Sequence, residues 1–248
     1  MRLRATIAYD GTDFRGWAPQ PDVRTVGGVL AEALGVESLV VAGRTDAGVH
    51  AAANVVSFDA ERLLPAKAVN TNLPNDVAVL EMSAAPDGFD ARADSRGRSY
   101  VYRINNGQAI DPLRRRFELF HPRRVDDEAL VACAAALVGR HDFRAFTPSE
   151  TQHVFFERTV REAAWRREGD KLEFHISADG FLRHMVRVLV GTMLMRPDPD
   201  RFARLLEGRP RSDAGRTALP HGLTLLSVKY ENSDGADHAS IAQQNRVV

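Results

Sequence analysis

Leu39-Val40-Val41-Ala42-Gly43-Arg44-Thr45-Asp46-Ala47-Gly48-Val49-His50-Ala51-Ala52-Ala53, residues 39–53, passes from an apolar run into a glycine-flanked loop holding one carboxylate. The apolar run reads as a strand. The loop after it can turn sharply, because glycine accepts backbone angles that strain other residues. Asp46 lies between Gly43 and Gly48, with Arg44 two positions before it. A strand ending this way can present one side chain to a cleft. A carboxylate beside a guanidinium favours its ionised form, and an ionised, positioned Asp is a candidate nucleophile or general base. Asp between glycines also suits an ordinary turn in which it bonds its own backbone, so the short loop alone leaves both readings open.

Outward from the loop, strands alternate with helices. Leu3, Ala5, Ile7 and Tyr9 alternate with polar positions, the period of a half-buried strand, and Asp10-Gly11 turns it. Thr25 caps a helix with apolar positions Val26, Val29, Leu30, Ala33 and Leu34, and Gly35 ends it. Strands over Glu37–Ala42 and Asn54–Phe58 bracket the Asp46 loop; a short helix after Pro65 and strands at Val77–Met82 and Arg98–Asn105 follow. In the second half Asp126 caps a helix to Val138, and Arg158–Arg167 with Lys171–Ser177 form a hairpin through Glu168-Gly169-Asp170. Phe181–Met195 reads as a strongly apolar helix, Asp198–Glu207 as an amphipathic one and Leu223–Tyr230 as a closing strand. This order predicts an α+β fold of two α/β subdomains, with a largely antiparallel central sheet and flanking helices. The subdomains are expected at 1–106, carrying the Asp46 loop, and at 107–231; 232–248 is polar, patternless and expected to be a disordered tail.

Composition narrows the class. With 44% hydrophobic and 27% charged residues, the 248-residue chain has a soluble globular balance. The longest apolar candidate, Met185 to Met195, is interrupted by Arg187 and falls short of a membrane span. No signal peptide is expected, Cys133 has no second cysteine to pair with, and the cytoplasm is the expected compartment. The net charge of +0 does not point to a nucleic-acid partner. Its distribution is more informative: lysine occurs only at 67, 171 and 229, and arginine supplies the rest of the 33 basic residues. Nine arginines fall between Arg92 and Arg124 against Asp94, Asp111 and Glu118. Such a stretch fits a polyanion footprint or a solvated charged face.

Arg187 stands in the expected core helix among Phe181, Leu182, Met185, Val186, Leu189, Val190 and Met193. Arg183, four residues earlier, would share its edge. A buried guanidinium is costly unless paired, so Arg187 either meets a carboxylate, for which Asp46 is the displayed candidate, or snorkels to solvent. Gly191, one turn on, would leave room beside it for a partner or substrate. Asp46 and His50 are four apart, but a metal site needs a further ligand at suitable spacing and none stands out, so neither metal nor cofactor is expected.

Gly43-Arg44-Thr45-Asp46-Ala47-Gly48-Val49-His50 resembles the motif of the TruA family, the pseudouridine synthases that modify the anticodon arm of transfer RNA. Phe181-Leu182-Arg183-His184-Met185-Val186-Arg187-Val188-Leu189-Val190-Gly191 is similar to a second family motif, and Arg92–Tyr102 to a third. Tyr9-Asp10-Gly11-Thr12, Gly16-Trp17, Leu73-Pro74, Asp142-Phe143 with Phe146, and Gly222-Leu223 also fall in family order, so the resemblance spans residues 3 to about 230. The chain departs at Ala18 and Gly27, where the family usually has Gln.

The resemblance implies the pseudouridine synthase fold and a homodimer acting on uridines 38, 39 and 40 of the tRNA anticodon stem-loop, with Asp46 as nucleophile toward C1′ or C6. It implies that Arg187 pairs with Asp46 and that Arg44 fills the stack vacated by a flipped base or holds a phosphate. Tyr100, which as a strand tyrosine could equally pack in a sheet, would stack on the flipped base; Arg183 and His184 are further substrate-contact candidates. Without the resemblance two other readings fit: an RNA-binding protein without chemistry, and a hydrolase using Asp46 with His50.

Overall fold

Alternation along β1 (Arg2–Tyr9) buries Leu3, Ala5, Ile7 and Tyr9, and the strand pairs antiparallel on both sides. The computed structural model describes residues 1–195 and 197–231; the expected tail at 232–248 lies outside the described residues. Next come α1 (Val26–Leu34), β2 (Val40–Val41), β3 (His50–Asp59), α2 (Ala66–Asn70), β4 (Val77–Ala84), β5 (Ser95–Asn105) and β6 (Leu119–Phe120). The remaining elements are α3 (Asp127–Ala136), β7 (Gly139–Asp142), β8 (Glu157–Glu168), β9 (Lys171–Ala178), α4 (Met185–Met195), α5 (Pro199–Leu205) and β10 (Leu223–Tyr230). Thr25, Asp126 and Asp198 cap α1, α3 and α5 through their side chains, which fixes where those helices begin.

Among the described residues the strands form one sheet in the order β4-β1-β3-β10-β5-β9-β8-β7, with β2 on β3 and β6 on β5. Only β3–β10 and β5–β6 pair in parallel, so the sheet is largely antiparallel, as the strand order predicted. The sheet runs unbroken across residue 106, because β10 lies between β3 and β5. One core joins both halves, from Leu3 and Val56 to Leu130 and Val190. None of the described helices is long and apolar enough to cross a membrane.

Four expectations are corrected by tertiary context. β2 is confined to Val40–Val41, an edge pairing only with Ser57 and Val56, while Glu37 and Ser38 are exposed. β3 instead begins at His50, since His50 and Ala51 pair with Thr224 and Leu225 of β10, and Ala51 also with Tyr9 of β1, which holds an alanine run that is a weak strand former alone. The core helix starts at Met185 and not at Phe181, because His184 adopts a left-handed φ of 62° that no α-helix admits. Arg183 therefore does not share a helix edge with Arg187. Finally, the space beside Gly191 is filled by the chain's own backbone: a Cβ there would lie 1.8 Å from the Arg216 carbonyl oxygen.

That close approach generates a test. Gly191→Ala must push residues 216–218 off α4, costing about 1–3 kcal/mol or more by overpacking, measured as a fall in thermal or denaturant midpoint. Catalysis should fall further than stability explains, since the displaced segment supports Arg187.

Candidate active site

The loop carrying Asp46 is fixed before any substrate arrives. Its turn closes where the Val49 N–H donates to the Asp46 carbonyl at 3.1 Å. Gly48 takes a φ of 78°, and a Cβ there would lie 2.8 Å from the Pro220 ring, so glycine is required twice over. The Thr45 carbonyl accepts the Trp17 N–H at 3.1 Å, and Thr45 Oγ1 lies 2.8 Å from the Tyr9 hydroxyl. Fully buried Asn54 accepts the Gly43 N–H at 3.3 Å and donates from Nδ2 to the Gly43 carbonyl at 2.8 Å and the Tyr9 hydroxyl at 3.2 Å. Burial pushes the Tyr9 hydroxyl up to about 12, so it stays a neutral hydrogen-bonding group. From β5, Arg98 Nε donates to the Ala42 carbonyl at 2.8 Å.

Arg187 reaches this loop from α4. Its Nη1 donates to Asp46 Oδ2 at 2.8 Å and its Nε to the Ala218 carbonyl at 2.9 Å, while the Ala218 N–H returns a bond to the Arg187 carbonyl at 3.0 Å. The Arg187 side chain is 14% exposed and its head is bonded to Asp46, so the snorkelling alternative does not hold. Asp46 Oδ1 points away from this bond, with His184 Nε2 3.7 Å from it. Burial holds the His184 imidazole below the ordinary histidine range, with Asp46 opposing and Arg187, Arg183 and Arg211 adding to the lowering. At neutral pH the ring is therefore uncharged.

Around this pair lies a cleft of about 910 Å³. Its walls carry six arginines (Arg44, Arg92, Arg98, Arg158, Arg183 and Arg187) against the carboxylates Asp46 and Glu150. A formally neutral chain thus concentrates positive charge where the carboxylate opens to solvent. Tyr100 forms part of the wall, buried and edge-on to Phe181 with ring centroids 5.0 Å apart. Burial raises the Tyr100 hydroxyl well above its ordinary value.

The structure thus brings Asp46, Arg187, Arg44, Tyr100, Arg183 and His184 to one cleft. Arg44 is exposed and, among the described residues, without an ion-pair partner, so the cation on Asp46 is Arg187 alone. His50 takes other partners: its Nδ1 accepts the Gly11 N–H at 3.0 Å and lies 3.1 Å from Asp10, and its Nε2 lies 2.9 Å from the Arg116 carbonyl. The arginine-rich stretch is not one bare stripe, because Arg96, Arg98, Arg103, Arg114 and Arg116 are engaged in ion pairs or carbonyl bonds. Ala18 and Gly27 lie outside the cleft wall. Asn54 and the Ala218 carbonyl escaped the sequence reading. Asn54 carried one available signal, an amide side chain heading the apolar pair Val55-Val56 of a strand; a backbone carbonyl carries none.

A half-buried carboxylate pinned by one guanidinium in a cationic cleft requires comparison with known enzymes, and the class that answers is the pseudouridine synthases. The family model described as tRNA pseudouridine synthase matches residues 133–231. Proteins named tRNA pseudouridine synthase A are similar over nearly the whole length. That of Bacillus subtilis is 38% identical, covering 94% of this chain and 100% of its own. Those of Myxococcus xanthus and Moorella thermoacetica are each 40% identical, covering 95% and 92% of this chain and 94% and 99% of theirs. A solved H/ACA ribonucleoprotein bound to a substrate RNA containing 2′-deoxyuridine is similar at 12% identity and a TM-score of 0.39, over 89% of this chain and 46% of that one. The chain belongs to the tRNA pseudouridine synthase A family, and it is an isomerase.

Two outcomes follow from the geometry. Asn54→Ala strands both polar groups of Gly43, which should cost about 1–3 kcal/mol in denaturant unfolding and depress kcat more than KM as Asp46 loses register. His184→Asn retains the left-handed backbone, which Asn tolerates, but removes the titrating ring. In the native protein, acid converts the neutral His184 into a cation that competes for Asp46 Oδ1. The fall of kcat/KM below the ordinary histidine range should therefore shift to lower pH in the variant.

Proposed function

We propose that this protein isomerises uridine to pseudouridine at positions 38, 39 and 40 of the tRNA anticodon stem-loop, in the cytoplasm, with Asp46 as nucleophile on an extruded base. What carries the reading is the carboxylate itself: Oδ2 is bonded at 2.8 Å by Arg187, leaving Oδ1 directed to an open, arginine-lined cleft. Family membership supplies the substrate class. A homodimer, which the family resemblance implies, sets two such clefts toward one RNA and accounts for how a formally neutral chain binds a polyanion.

The bookkeeping of the reaction fits these residues. The C1′–N1 bond breaks, the uracil turns, C1′–C5 forms, the C5 proton leaves and N1 gains one, so substrate and product are isomers and no electrons are exchanged. Asp46 holds one fragment while the base turns, by attack at C1′ or C6. Arg187 orients the carboxylate through a charge-assisted bond. Extrusion costs a few kcal/mol, which Arg44 offsets by filling the gap or holding a phosphate. The ring of Tyr100 lies under the turned base, and Arg183 and His184 meet the flanking backbone.

Mapping of pseudouridine in transcribed tRNA incubated with the purified chain tests this directly. Asp46→Asn should abolish product, a loss of ~10⁴-fold or more, while tRNA binding stays within a few-fold of the native protein. Modification surviving in the variant would exclude Asp46 as nucleophile, and product confined to another arm of the tRNA would exclude the positional assignment.

A further inference from the structure

The segment from Pro148 to Phe155 leaves the cleft wall and carries two apolar side chains into solvent: Val154 is 79% and Phe155 80% exposed. Both ends of this segment are anchored. Thr147, fully buried, donates from Oγ1 to the Arg183 carbonyl at 3.0 Å, and the Phe156 carbonyl accepts the Phe143 N–H at 3.1 Å. Phe156 itself packs on the core beneath the Arg144 guanidinium, 4.7 Å from its ring centroid. Its neighbour Phe155 has no such shelter. Between the anchors, Glu150 to His153 line the same cleft as Asp46, and cleft-wall Arg158 donates from Nη1 to the carbonyls of Phe155 at 3.2 Å and Glu157 at 2.6 Å. A bare aromatic ring is thus held on a stem rooted at the rim of a cationic cleft.

Resting on the function proposed above, we propose that the Phe155 ring stacks on an unpaired nucleobase of the substrate RNA beside the extruded uridine. Two side chains are too small for a stable protein interface, which needs roughly 1,000 Å², but one phenyl face matches one base. Every base offers a π-face, and the neighbouring arginines draw in the phosphates that accompany it. Arg158 braces the stem through carbonyls and so sets where the ring stands.

The test compares Phe155→Ala and Phe155→Trp with the native chain, binding an anticodon stem-loop RNA and a fully paired duplex of equal length. The alanine variant should bind the stem-loop on the order of tenfold more weakly and the tryptophan variant within about twofold of native, with duplex affinity equal in all three. An unchanged stem-loop affinity, or an equal loss on the duplex, overturns the proposal. So does a change of oligomeric state in sedimentation, which would assign the ring to a protein contact. Pseudouridine formation is measured separately: native protein that binds the stem-loop but makes no product refutes the proposed function without altering the comparison at Phe155.

Discussion

The bond between Asp46 and Arg187 joins residues 141 positions apart, and the fold is arranged so that it can form. The carboxylate stands on a loop between β2 and β3; the guanidinium stands in the first turn of α4. They meet because the sheet is continuous from one half to the other. Each side is also fixed independently of the bond, Asp46 by the Asn54, Tyr9 and Trp17 contacts and Arg187 by the Ala218 carbonyl. A pair built this way needs little reorganisation when a substrate enters, which is the general condition for electrostatic catalysis. Removing either partner would leave a half-buried charge without compensation, so the pair is a requirement of the site more than a source of stability.

Electrostatics are local here. Charges of both signs balance over the whole chain, and many of the arginines that cluster in sequence are spent on carboxylates or carbonyls within the fold. The cleft is where the balance fails, because its arginines outnumber its carboxylates. Net charge thus describes this protein poorly; the guanidiniums gathered at the cleft, Arg44 among them with no ion-pair partner among the described residues, describe it better.

The sequence made the ends of this arrangement legible and left the middle hidden. Asp46 was visible because glycines mark a turn, and Arg187 because a charge in an apolar helix demands an explanation. α1 and α3 were readable from their capping side chains. The residues from Phe181 to His184 were misread because their apolar spacing continues the helical period, whereas Phe181 packs on Tyr100 as part of a loop. Nothing in local composition announces a left-handed histidine. β6 and β7 are too short for alternation to register. Pairing among arginines depends on which strands become neighbours, a property of the assembled sheet.

The parallel pairing of β10 with β3, through Thr224 against His50 and Leu225 against Ala51, has a bearing on biosynthesis. The strand made last among these elements is inserted between two made much earlier, with β5 as its other neighbour. Until it emerges from the ribosome, β3 and β5 each keep an open edge able to recruit other chains. Contacts of such long sequence separation form slowly, since the loop entropy is lost before the pairing rewards it. The Asp46 loop is translated early, yet its surroundings are completed only when β10 docks beside β3 and brings Leu223 to the cleft, so a truncated or nascent chain holds the carboxylate without the pocket around it.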